Sequence, residues 1–149
     1  MTGILLPDAV ATEAFGRSLA RHLRPGDSVA LFGRLGAGKT SLCRGVLAGL
    51  GFAGDVASPT FPIVQVYEPP ESRLPVWHVD LYRIEAPDEL EELGLDEALA
   101  ESVLLIEWPE RLPALWPGTL RLTLTDTLAA GRNLTALVPP AWEDRWPSR

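Results

Sequence analysis

Gly33-Arg-Leu-Gly-Ala-Gly-Lys-Thr40 is the stretch on which the reading of this chain turns. It matches the phosphate-loop pattern G-x-x-x-x-G-K-[ST] in full. Polyphosphate oxygens need several donors converging from one side. A loop of consecutive backbone N–H groups that opens a helix supplies them, together with the positive end of the helix. The expected contacts are Leu35, Gly36, Ala37, Gly38, Lys39, Thr40 and Ser41, with the Lys39 ammonium reaching the β- and γ-phosphates and the Thr40 hydroxyl placed to ligate Mg2+. Given this chain's own content of Gly, Lys, Ser and Thr, a chance match anywhere along it has a probability of roughly 10⁻³.

The flanks agree with the loop. Ser28-Val-Ala-Leu-Phe32 reads as a short buried strand running into Gly33, and Thr40 to Leu50 reads as a helix with Leu42, Val46, Leu47 and Leu50 on its apolar side. Upstream, Ala11, Phe15, Leu19 and Leu23 form a helical stripe that opens near Asp8 and closes before Arg24-Pro-Gly-Asp27. Downstream, strands are predicted over 61–67, 76–82 and 103–107, with an acidic helical segment over 87–101 interrupted at Gly94. Residues 119–125 and 134–138 read as a hairpin around Gly131. This alternation predicts an α/β fold of the P-loop NTPase type in three layers. The central sheet is mostly parallel, the late strands are antiparallel, and helices cover both faces. One domain is expected over 1–149, with an ordered core from about 7 to 138 and a polar tail over 142–149 that frays.

Composition excludes several classes. The longest apolar runs are far too short to span a bilayer, and the first residues lack a secretory signal's charged and apolar regions, so a cytoplasmic protein with no membrane partner is expected. Cys43 stands alone and His22 and His78 are the only histidines, so any metal should be a hard cation held by oxygen. The net charge is −7, which disfavours a direct grip on a nucleic-acid backbone. Eight acids and no Lys or Arg lie between Glu85 and Glu101, either as a solvated helical face or as a docking patch for a basic partner. Lys39 is the only lysine. A guanine-reading Asn-Lys-x-Asp element would need a second one, so ATP is the expected nucleotide.

A hydrolase built on such a loop needs carboxylates near Mg2+ and something to orient the attacking water. Asp80, inside Val76-Trp-His-Val-Asp-Leu-Tyr82, and Glu107, ending the apolar run Val103 to Ile106, stand where strand ends meet a ligand crevice. Thr60, in Ser58-Pro-Thr-Phe61, either meets Mg2+ or the γ-phosphate or belongs to a strand-entry turn. Trp108 either covers the site or packs in the core. Arg34 and Arg132 are candidate phosphate or base contacts, whereas Cys43 reads as packing.

Taken together, GRLGAGKTSLCRG (33–45), SPTFPIVQVYE (58–68), HVDLYR (78–83), DELEELG (88–94) and LIEWPER (105–111) resemble the TsaE (YjeE) family, the bacterial ATPases of tRNA threonylcarbamoyladenosine biosynthesis, from about residue 7 to 138. The resemblance implies that Lys39 and Thr40 bind the triphosphate and Mg2+, with Glu107 as a magnesium carboxylate. It implies Asp80 as a water-orienting or Walker-B-like acid, Thr60 in a switch-like loop, and Trp108 and Arg132 beside the nucleotide. The first helix would approach the adenine through its backbone or Thr12. It further implies that TsaD and TsaB are the partners, that ATP turnover to ADP resets their complex, and that tRNA is met indirectly. Two rival readings remain: a nucleotide-gated binding module without meaningful turnover, and a small-molecule phosphotransferase.

Overall fold

The computed structural model describes residues 2–34, 38–56, 63–127 and 131–146. Seven strands form one sheet: β1 (Thr2–Leu6), β2 (Ser28–Phe32), β3 (Val64–Tyr67), β4 (Val76–Asp80), β5 (Val103–Glu107), β6 (Leu120–Asp126) and β7 (Arg132–Leu137). Their order is β1-β7-β6-β2-β5-β4-β3. The four central strands, β6, β2, β5 and β4, are mutually parallel. Antiparallel pairing is confined to the edges: β7 and β1 on one side, as expected of the late hairpin, and β3 against β4 on the other.

Helices cover both faces. The helices α1 (Ala9–Ala20) and α2 (Lys39–Gly49) pack on one side, where Phe15, Leu19, Leu42, Val46 and Leu47 meet Val29, Leu31, Val103, Leu105, Leu120 and Leu122. On the other side, α3 (Pro87–Leu93) and α4 (Leu95–Leu99) bring Leu90, Leu93 and Leu95 onto Val79, Leu104 and Ile106. The period of two along β5 thus sorts its residues between two cores, and it puts Glu107 on the α2 side with Val103 and Leu105. Asp8 caps α1 by accepting from the Ala11 N–H at 2.8 Å. The two helices of that face touch backbone to backbone, because a Cβ on Gly45 would run into the Glu13 carbonyl.

Two sequence-based expectations are corrected. The ordered chain begins before residue 7, since Ile4, Leu5 and Leu6 extend the sheet as β1 against β7. The tail does not fray over 142–146. Trp142 is fully buried, Trp146 packs on the core and on Phe15 at 5.8 Å between ring centroids, and Arg145 grips Asp27 with two nitrogens at 2.7 and 3.0 Å. Polar composition hid two indole anchors and a bidentate ion pair.

Candidate functional site

The parallel centre of the sheet delivers the carboxyl ends of β2, β4 and β5 to one edge, and α2 starts there. Gly38 enters α2 with φ 99°, a left-handed conformation that glycine adopts without strain. Lys39 follows as the first helical residue. Its side chain is only 4 % exposed, and its Nζ donates to the Gly33 carbonyl at 2.5 Å. Burial holds the ammonium below its ordinary lysine range, while the negative charges of Glu107, Glu110 and Asp80 partly offset that burial.

Those acids come from neighbouring strands. Asp80 and Glu107 are register partners on β4 and β5, and both are buried, at 8 % and 3 % exposed. Asp80 Oδ1 accepts from the Tyr82 N–H at 2.9 Å, so the chain following the acid fixes it. Glu107 Oε2 meets His78 Nε2 at 2.7 Å. Buried carboxylates placed side by side, facing an ammonium, form an oxygen donor set suited to a hard divalent cation, and Thr40, the hydroxyl that the sequence nominates, lies in the first turn of α2. The pair therefore fits Mg2+ chemistry on its donors alone.

Trp108 closes this group. Its ring centroid lies 3.9 Å from Lys39 Nζ and 4.9 Å from the Tyr82 ring. Its backbone holds φ 60°, the one positive φ outside glycine among the described residues, immediately before Pro109. A bulky residue in that region, preceding proline, costs about 1–3 kcal/mol. The ring also packs against the α3–α4 core, so its two sequence readings, cover and core, describe two sides of one indole.

A second cluster lies on the other flank of the loop. Asp8, Ala9, Thr12, Gly38, Ser41 and Arg132 line a small cavity of about 50 Å³. This brings together four residues nominated from sequence, Thr12, Gly38, Ser41 and Arg132, from α1, α2 and β7. Arg132 shares Asp126 with Arg34: Nη1 of Arg132 lies 3.4 Å from one carboxylate oxygen, and Arg34 bonds the other. The Arg34 hydrogen bond is the main reason that the Asp126 carboxyl is held below its ordinary range. Leu35, Gly36, Ala37 and Thr60 lie outside the described residues.

Sequence reasoning passed over His78, Tyr82 and Asp126 as parts of the site. His78 was legible in principle, because strand period places it on the face of β4 that carries Asp80. Cys43 is fully buried and its thiol is pushed well up by that burial, as suits packing rather than reactivity.

Comparison with known proteins identifies the family. The family described as "Threonylcarbamoyl adenosine biosynthesis protein TsaE" matches residues 6–134. The tRNA threonylcarbamoyladenosine biosynthesis protein TsaE of Streptomyces coelicolor is 48 % identical over 126 residues, covering 80 % of this chain and 85 % of that one. Its Haemophilus influenzae namesake is 37 % identical over 135 residues, covering 87 % and 84 %. Among solved structures, YdiB of Bacillus subtilis superposes with a TM-score of 0.77 at 30 % identity, covering 95 % of this chain and 88 % of that one. Among the described residues, no helix is long and apolar enough to cross a membrane.

Proposed function

This chain belongs to the TsaE family, and from that premise we propose that it is a cytoplasmic, magnesium-dependent ATPase that works with TsaD and TsaB. The family's role lies in tRNA threonylcarbamoyladenosine biosynthesis. Turnover of ATP to ADP would reset the partner complex between rounds of tRNA modification, with tRNA held by the partners. The observation that carries this reading is the convergence of Lys39, the lysine of a complete phosphate-loop sequence, with the register-paired carboxylates Asp80 and Glu107.

Each side chain has a distinct task. The Lys39 ammonium, poorly solvated, attracts the β- and γ-phosphates more strongly than an exposed lysine would. Thr40 and Glu107 would hold Mg2+, which when bound offsets the charge that gathers on the phosphate oxygens. Asp80 orients the water that attacks the γ-phosphorus. The bond from that phosphorus to the bridging oxygen breaks, ADP leaves with that oxygen, and the water's protons leave with phosphate and solvent. Ser41, Thr12 and Arg132 meet the nucleotide on the far flank, and the Trp108 ring shields the phosphate side from bulk water.

The test is ATP hydrolysis by this protein alone and with TsaD and TsaB. The expected result is slow basal turnover that rises in the complex. Asp80→Asn and Glu107→Gln should each lower turnover more than they weaken nucleotide binding. Negligible turnover under both conditions, with tight nucleotide binding, would replace the ATPase reading with that of a nucleotide-gated binding module.

A further inference from the structure

Asp80 and Glu107 are held by different devices, and the one on Glu107 has a consequence for the cation. We infer that His78 is a positioning residue that aims the Glu107 carboxylate at Mg2+, an inference that rests on the magnesium-nucleotide reading above.

The register makes the contact. His78 is paired with Leu105 and Asp80 with Glu107, so His78 and Glu107 are diagonal neighbours on one face of two parallel strands. The imidazole is wholly enclosed, and Cys43 closes in beside it: the donor atoms of Cys43, His78 and Glu107 all lie within 4.8 Å of one another. Such close packing restricts the movement of the ring. His78 Nε2 lies 2.7 Å from Glu107 Oε2, while Nδ1 is buried without a hydrogen-bond partner in the described structure.

That asymmetry sets the tautomer. A buried N–H without a partner is rarer in folded proteins than a bare acceptor. The proton therefore sits on Nε2 and is donated to Glu107, and Nδ1 is the bare nitrogen. One oxygen of Glu107 is pinned, which fixes the direction in which the carboxylate presents itself to a cation. Asp80, by contrast, accepts from the backbone N–H of Tyr82. Outer-shell partners of this kind tune metal affinity without touching the metal.

The test compares two amides. The Gln side chain places its nitrogen about where imidazole Nε2 stands, whereas Asn places its nitrogen near Nδ1, out of reach of Glu107. The readout is the Mg2+ concentration at half of the magnesium-dependent gain in affinity for a non-hydrolysable ATP analogue, measured by calorimetry. His78→Asn should raise that concentration by about 10- to 100-fold, and His78→Gln by less than about threefold. Affinity for the analogue in excess chelator should be unchanged in both. Equal shifts in the two variants, or none in either, would overturn the inference, because the position of the amide nitrogen would then not matter to the cation. Should the Asn variant fail to fold, 15N imidazole spectra of the unaltered protein decide: a proton on Nε2 supports the assignment, and a bare Nε2 refutes it. If the unaltered protein shows no magnesium-dependent gain, the nucleotide reading itself fails and takes this inference with it.

Discussion

The Lys39 ammonium stands 3.9 Å from the centroid of the Trp108 ring, so the cation of the phosphate loop rests on the π-face of an indole. That contact favours the ammonium where it is, until a stronger anion draws it off. Triphosphate binding should therefore move Lys39 off the ring and change the indole's emission. The expected outcome is a saturable change in tryptophan fluorescence on adding ATP with Mg2+, absent in Trp108→Phe. The other four tryptophans serve as a constant background. A change that persists unaltered in Trp108→Phe would show that the reporter lies elsewhere.

Asp126 makes a second competitor for the ligand. Its carboxylate holds both Arg34, in the phosphate loop, and Arg132, beside Gly38. If nucleotide phosphates recruit either guanidinium, they must first take it from Asp126. Asp126→Asn should then tighten nucleotide binding by about two- to fivefold at low salt, the range expected of a partly exposed ion pair. The gain should shrink as ionic strength rises, because salt screens such pairs. Titration calorimetry at two salt concentrations checks both statements, and weaker binding in the variant would show that Asp126 organises the arginines rather than withholds them.

How much of this was legible before the fold was known differs from element to element. The phosphate loop and its flanking strand and helix could be read because Gly33 to Thr40 carries local chemistry, and local signals survive without knowledge of tertiary neighbours. Asp80 and Glu107 could be nominated from strand ends, but their pairing could not, since it depends on β4 and β5 being adjacent in register. His78 acquires its role only through that same register. Asp126 was missed for a related reason: it lies 92 residues from Arg34 in sequence, and only the parallel pairing of β2 with β6 brings them together.

The carboxyl-terminal segment is the clearest case of tertiary packing overriding composition. Trp142 is completely enclosed, and the Arg145 guanidinium lies 4.1 Å from its ring centroid while bonding Asp27 and the His22 carbonyl. Trp142→Ala should destabilise the fold by about 3–5 kcal/mol, the usual cost of emptying a large aromatic site. Denaturant unfolding followed by circular dichroism measures it. A loss within about 0.5 kcal/mol, typical of an exposed position, would mean that the segment is dispensable after all.

Lys39 should show the opposite relation between function and stability. Its ammonium is held below the ordinary value of 10.5 chiefly because burial strips it of water. In the interval between its lowered folded value and 10.5, the unfolded chain binds the proton that the folded chain has given up, so folding stability rises with pH there. Below that interval both states are charged, and the folded state carries the full cost of the buried cation. Lys39→Met keeps most of the side-chain volume and removes the charge. The stability of the natural protein minus that of the variant should therefore increase as pH climbs toward 10.5, by at most about 1.4 kcal/mol per pH unit. The same variant should lose triphosphate binding at neutral pH, where its fold is intact. Paired denaturation curves from pH 7 to 10.5 decide the point: a difference that stays flat or falls with pH would mean that Glu107, Glu110 and Asp80 compensate the burial of this ammonium in full.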